Sequence, residues 1–228
     1  MADASHIIHV LESLDESFPN IESNMGDLVA ISPRYFLRPH KIIEAYTKGI
    51  FPWHIQYNMV HWFSPQQRPL LATDKIKISR SMRQWLQRNT AYQVTVNKDF
   101  IGVLNHCAMS RLYSDSSWLT YDFKKAYYDL HCMGIAESVE VWDHYGNLVG
   151  GLYGVVMNRI ATGESMFSHI SNVSKYALIH WCELLKQRNI QYIDCEAHTQ
   201  HLINMGAEMV PRASFIEIIN KAYKDLYV

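Results

Sequence analysis

Two carboxylates spaced two residues apart, Asp194 and Glu196, are the first place in this sequence where chemistry is to be sought. They end the run Ile190 to Glu196, whose apolar content predicts a strand. Side chains at i and i+2 share one strand face, so the carboxylates would stand roughly 7 Å apart at Cα, with Ile193 and Cys195 on the other layer. Neighbouring carboxylates oppose each other's ionisation, so one of them can carry a proton near neutrality and serve as a base. The same spacing equally describes a solvated strand end, and spacing alone does not choose.

Three other segments invite a chemical reading. Gly163-Glu164-Ser165-Met166-Phe167-Ser168 sets an acid and two hydroxyls among apolar residues. A nucleophile elbow would require glycine where Phe167 stands, so a serine hydrolase is disfavoured. Glu164 is suited to anchoring a cationic substrate group, or to capping the segment that follows. Gly150-Gly151-Leu152-Tyr153-Gly154 places three glycines in a strand pattern, which marks a bulge or a close backbone approach. It is no dinucleotide fingerprint, because the spacing differs and no helix follows. Cys195, His198 and His201 match no standard zinc spacing, and no metal is expected.

Between Arg68 and Lys98 seven basic residues (Arg68, Lys75, Lys77, Arg80, Arg83, Arg88 and Lys98) face one acid, Asp74, in a chain of net charge −1. Arg80 and Arg83 fall on one face of a helix predicted over Ser79 to Arg88, which suits phosphate contacts or a plain solvated face. The whole-chain charge argues against coating nucleic acid, although a local patch is compatible with it. No apolar run reaches the roughly 18 residues that span a bilayer, and the first residues lack a signal-peptide layout. Cys107, Cys132, Cys182 and Cys195 have no paired spacing and are expected as reduced core thiols of a cytoplasmic protein.

The elements that position these groups follow from periodicity. Helices are predicted over Ala4 to Ser17, Lys41 to Lys48 (stopped by Gly49), Asp99 to Ala108, Tyr121 to Met133 and Val173 to Arg188. Strands are predicted over Tyr92 to Val96, Ser138 to Trp142, Leu148 to Met157 and Ser214 to Ile219, with a loop-rich stretch from Asn20 to Pro39. Composition that is 48% hydrophobic and 19% charged excludes a disordered chain. The order is an α+β layout around a mainly antiparallel sheet, with a boundary after the aromatic run His61 to Pro65. This divides a small N-terminal domain, residues 1–65, from a larger one, residues 66–228. Trp53 and Trp118 lie in polar, loop-like settings where binding is favoured over core packing.

Taken together, an ordered set of short segments resembles the bacterial leucyl/phenylalanyl-tRNA–protein transferase family. The set includes Gly49-Ile50-Phe51-Pro52-Trp53, Ser64-Pro65, Ile78-Ser79-Arg80-Ser81-Met82, Trp118-Leu119, Ser138-Val139-Glu140-Val141-Trp142, Gly163 to Ser168 and Ile193-Asp194-Cys195. It runs from about Lys41 to Phe215.

The resemblance implies a GNAT-like acyltransferase domain that moves Leu or Phe from aminoacyl-tRNA to the N-terminal amine of a protein beginning with Arg or Lys, marking it for degradation. It implies catalytic roles for Asp194 and Glu196, and substrate binding by Trp53, Trp118, Leu152, Glu164, Ser165, Met166 and Phe167. It implies tRNA contacts from Arg80, Arg83 and Arg88. No cofactor is required, and a monomer with no membrane association is expected. The sequence departs from the family in carrying Glu196 where the family has glutamine, and Gln84 and Gln87 where its tRNA-facing helix is more basic. A CoA-dependent N-acyltransferase is the rival enzyme, but the Gly-rich pyrophosphate turn it needs is missing. A non-catalytic RNA- or degron-binding module is the rival outside enzymology.

Overall fold

The computed structural model describes residues 7–22, 24–109 and 119–223. Short alternating segments near the N-terminus build a four-stranded sheet. Its strands are β1 (His9–Val10), β2 (Leu28–Pro33), β3 (Phe51–Gln56) and β4 (Met59–Phe63), in the order β1-β2-β4-β3. Tyr57 and Asn58, both at positive φ (50° and 64°), make the tight turn between β3 and β4. Between β2 and β3 lies α1 (Pro39–Thr47), which opens on a proline whose missing N–H costs the first turn nothing. It closes at Gly49, φ 74°, where Gly49 N–H reaches the Tyr46 carbonyl and Ile50 N–H the Ala45 carbonyl.

The remaining chain forms a seven-stranded sheet from β5 (Gln67–Ala72), β6 (Gln93–Val96), β7 (Ala136–Trp142), β8 (Leu148–Met157), β9 (Ile160–Ser168), β10 (Tyr192–Asp194) and β11 (Glu208–Pro211). The order is β11-β5-β10-β9-β8-β7-β6, and only the β9–β10 pair is parallel. The helices are α2 (Arg80–Arg88), capped by the Ser79 hydroxyl, α3 (Phe100–Met109), α4 (Tyr121–Cys132), α5 (Val173–Gln187), α6 (Gln200–Asn204) and α7 (Arg212–Tyr223). One core cluster joins α1, α3, α4, α7 and the small sheet. A second packs α5 against the large sheet and takes in Met82 of α2.

Three local expectations are corrected. The described part of Ala4 to Ser17 is not helical: His9–Val10 pairs with Ala30 and Ile31, and the Glu16 carboxylate accepts the N–H groups of Glu12 and Ser13 to fix a turn. The stretch from Asn20 to Pro39, expected as loop-rich, holds a strand that was not expected, β2. Ser214 to Ile219 is not a strand but part of α7, because Phe215, Ile219 and Ala222 recur at helical spacing and form its buried stripe. At the start of α7, Arg212 is buried and donates to the carbonyls of Ile21, Asn24, Gly26 and Ser64, gathering the N-terminal loops under the helix.

Candidate active site

β10 ends at Asp194, and this early stop rearranges the two carboxylates. Cys195 N–H is taken by the Pro69 carbonyl, and Glu196 adopts a left-handed backbone, φ 58°. The expected shared strand face is therefore corrected. Ile193 and Cys195 line a cavity of about 490 Å³, while Asp194 points to the opposite side, and the turn alone returns Glu196 to the cavity wall. The backbone N–H of Glu196 donates to Asp194 Oδ1 at 2.9 Å, tying the Asp194 side chain to the Glu196 main chain.

Asp194 is 2% exposed and gripped by an equally buried cation. Arg68 Nε donates to Oδ1 at 2.7 Å and Nη2 to Oδ2 at 2.6 Å, and the guanidinium lies 4.3 Å from the Phe51 ring centroid and 4.7 Å from that of Phe215. In place of two bare neighbouring carboxylates the structure has an Asp194–Arg68 ion pair. Arg68 is also removed from the basic surface stretch to which its sequence position assigned it. Burial alone would depress the guanidinium, and the charge and hydrogen bonds of Asp194 more than reverse this.

Glu164, on β9, reaches the same cavity from the other wall. Its two oxygens accept from Tyr46 (2.5 Å, from α1) and Tyr127 (2.6 Å, from α4), whose hydroxyls lie 3.0 Å apart. Burial pushes the carboxyl up to about 7; the tyrosine hydrogen bonds pull against that, the Asp194 charge adds to it and Arg68 subtracts. Both phenols are raised well above their usual range, by burial first and the Glu164 charge second. A carboxylate poised near neutrality in an apolar cleft is the mark of a site that handles protons or cations.

The rest of the cavity is mainly apolar. Leu152, Met166, Leu178 and Trp181 wall it, Trp53 stands at its mouth 38% exposed, and His198, Thr199 and His201 of the segment after β10 complete it. Trp53 packs against Phe51 and Phe63, with ring centroids 5.6 and 5.4 Å away. Of the residues expected from sequence, Trp53, Leu152, Glu164, Ser165, Met166 and Glu196 come together here. Phe167 does not: next along β9 from Met166, it turns to the opposite face and stacks on His106 of α3, which is a correction. Trp118 lies outside the described residues. Arg80, Arg83 and Arg88 are exposed on α2 with no ion pair among the described residues, and none lines the cavity. Sequence reading missed Tyr46, Tyr127 and Arg68 as parts of the site. A cation inside the otherwise apolar run Arg68-Pro69-Leu70-Leu71 was the signal available for Arg68, since a buried charge demands a partner.

Two family profiles match the chain: leucyl/phenylalanyl-tRNA protein transferase over residues 70–220, and the N-terminal domain of the same transferase over residues 37–66. This chain belongs to the leucyl/phenylalanyl-tRNA–protein transferase family. The leucyl/phenylalanyl-tRNA–protein transferase of Stutzerimonas stutzeri (strain A1501) is 40% identical over 208 residues, covering 90% of each chain. That of Syntrophus aciditrophicus (strain SB) is 43% identical over 209 residues, covering 91% of this chain and 86% of its own. Among solved structures, a GCN5-related N-acetyltransferase from Kribbella flavida is 8% identical, covers 80% of this chain and 64% of its own, and has a TM-score of 0.41. The chain has the α+β layout that its sequence implied, built here as the seven-stranded sheet and its flanking helices. Among the described residues no helix is long and apolar enough to cross a membrane.

Proposed function

We propose that this chain takes a leucyl or phenylalanyl group from its tRNA and joins it to the N-terminal amine of an acceptor protein beginning with Arg or Lys, marking that protein for degradation. The observation that carries the reading is the cavity itself: an apolar chamber fit for an uncharged side chain, flanked by the two carboxylates Glu164 and Glu196. Family membership over nine-tenths of the chain supports the same assignment.

In this reading the donor's side chain enters between Leu152, Met166 and Leu178, and its ester carbonyl lies toward Glu196. Trp53 at the mouth offers a face for the terminal adenine, with Trp118 assigned to the same task. Arg80, Arg83 and Arg88 meet tRNA phosphates. Glu164 draws the cationic acceptor. The acceptor nitrogen attacks the ester carbon, a C–N bond forms, the C–O bond to ribose breaks, and the proton lost by nitrogen passes through Glu196 to the departing ribose oxygen. Binding of Asp194 by Arg68 leaves Glu196, on the cavity wall, as the carboxylate placed to act as the base. No covalent enzyme intermediate is needed, and most of the acceleration comes from holding two substrates in register, with acid–base help of about 10²–10⁴-fold. No cofactor is invoked. The change of sheet between β4 and β5 supports a division into a small domain, residues 1–65, and a transferase domain, residues 66–228. The chain acts in the cytoplasm as a monomer.

The test is transfer of radiolabelled leucine and phenylalanine from charged tRNA to peptides beginning with Arg, Lys or Ala, beside Asp194→Ala. Label on the Arg and Lys peptides, lost in the variant, is expected. No label on any peptide from folded protein and intact charged tRNA would overturn the reading in favour of an altered acceptor or a binding module, the alternative that Glu196 in place of the family glutamine favours.

A further inference from the structure

The hairpin of β3 and β4 carries a row of rings that starts at the cavity mouth and runs away from it. Phe51 pairs with Phe63 across the two strands and His54 with His61, leaving Trp53 as the extra residue between the pairs. Such a bulge re-aims the residue it inserts and moves those after it by one place. Without it Trp53 would stand opposite His61, and His54 would turn to the side of the buried Val60 and Trp62. With it, Trp53, His54, His61 and Phe63 share one face. Trp53 lies 5.4 Å from Phe63, Phe63 5.9 Å from His54, and His54 4.7 Å from His61, these last two rings within 15° of parallel. Among the described residues β3 is an edge strand, so no strand stands beside its outer side, where His54 is half-buried. His61 Nδ1 lies 3.2 Å from the Met59 carbonyl, which orients that ring. Burial first, and the His61 ring second, hold His54 below the ordinary histidine value against a hydrogen bond from Gln56, so at neutral pH its ring is uncharged.

We propose that the stacked pair His54–His61 is a platform for the unpaired nucleotides that precede the terminal adenosine of the donor tRNA. The inference rests on the transfer reading, in which Trp53 meets the terminal adenine, and adds to it a subsite for the next bases. Every tRNA ends in an unpaired CCA, and single-stranded RNA ends are held by stacking bases on aromatic rings, histidine included. A strand that enters the cavity by its 3′ end must leave across the mouth, and the ring row is the continuation of the mouth beyond Trp53. From Trp53 to the turn at Tyr57 the backbone advances about 13 Å. That is room for both cytidines at a stacked spacing of about 3.4 Å. An uncharged ring face suits planar bases better than the cationic end of an acceptor peptide.

The experiment measures, by calorimetry on the full chain, the affinities of three non-hydrolysable donors. They are phenylalanyl 3′-amino-3′-deoxyadenosine, the same unit ending the trinucleotide CCA, and that trinucleotide with both cytosines replaced by abasic sites, which keeps the phosphates. The proteins are the native chain, His54→Ala combined with His61→Ala, and His54→Phe. One stacked base contributes about tenfold or more in affinity. The native chain is therefore expected to favour the trinucleotide over the nucleoside by at least about tenfold, and the abasic ligand to lose most of that advantage. The double alanine variant should lose it too while binding the nucleoside as the native chain does. His54→Phe, which keeps a ring, should retain it. A double variant that keeps the advantage, or His54→Ala alone should the double variant not fold, overturns the proposal. An abasic ligand that binds as tightly as the trinucleotide overturns it as well, and so does equal weakening of nucleoside and trinucleotide. A raised KM for the acceptor peptide, with trinucleotide affinity unmoved, gives this face to the acceptor instead. Should the native chain bind the trinucleotide yet transfer nothing, a histidine-dependent advantage sustains the platform while the transfer reading falls. Binding of neither donor removes both.

Discussion

Arg68 grips both oxygens of Asp194 while lying between the rings of Phe51 and Phe215, so the residue with the strongest catalytic signature in the sequence has its charge answered before any substrate arrives. This makes Asp194 a support for the turn that carries Glu196, through the 2.9 Å bond it accepts from the Glu196 N–H. Breaking such a pair from one side strands the other charge in apolar surroundings. Arg68→Met is therefore expected to lower unfolding free energy by about 3–5 kcal/mol. Arg68→Met with Asp194→Leu should recover part of that loss. Urea titration of the three proteins checks both statements, and a single-variant loss under about 1 kcal/mol would show that the pair is not what holds the turn.

Glu164 gives a prediction with a definite sign in pH. Its folded-state pKa lies near 7, above the 4.5 expected of an unfolded glutamate. A group raised in this way contributes most stability below the unfolded value, and that contribution is lost as pH rises from about 4.5 through 7. Glu164→Gln removes the titration, so the variant should be the more stable protein at pH 8 by on the order of 3 kcal/mol relative to its difference at pH 4. Thermal melts across that range read the crossing. The same variant should lose preference for Arg and Lys acceptors over Ala, and unchanged selectivity would remove Glu164 from the acceptor site.

Glu196 separates backbone strain from chemistry. At φ 58° a side chain-bearing residue costs about 1–2 kcal/mol, which glycine does not incur. Glu196→Gly is expected to fold with unchanged or slightly raised stability while transfer falls by about 10²–10⁴-fold. Glu196→Gln keeps the shape and loses the base. Single-turnover rates near those of the native chain in Glu196→Gln would eliminate proton transfer through this residue.

The exposed arginines of α2 give a salt signature. Each phosphate contact contributes about 0.7–0.9 to the slope of log affinity against log salt. Arg80→Gln combined with Arg83→Gln should flatten the slope for charged tRNA by about 1.4–1.8, with the rate at saturating tRNA nearly unchanged. Titrations at several salt concentrations measure it, and an unaltered slope would mean that this helix faces only solvent.

Regular elements were legible where one period dominated: the helix over Tyr121 to Cys132 and the strands flanking Asp143 to Gly146 stand where alternation and turn residues placed them. The strand Gln67–Ala72 was hidden because Arg68 and Pro69 break the pattern, and only the distant Asp194 and the early end of β10 explain their tolerance. Ile160–Ser168 was hidden for a related reason. Two of its polar residues, Glu164 and Ser165, line the cavity, so a strand read as a motif. The acid components of the site could be found from residue type, whereas Tyr46 and Tyr127 become its partners only by contacts 118 and 37 residues away in sequence, which no local spacing encodes.

The Arg68 sandwich also bears on when the site comes into being. One of its rings belongs to the third strand of the N-terminal sheet and the other to α7 near the far end of the sequence. A nascent chain leaving the ribosome carries Arg68 and Phe51 early, then Asp194, and only afterwards Phe215. Until that last ring emerges, the cation and its carboxylate lack one side of their shelter from water. Competence is thereby tied to synthesis of α7, and a fragment released before α7 would possess the residues of the site without its architecture.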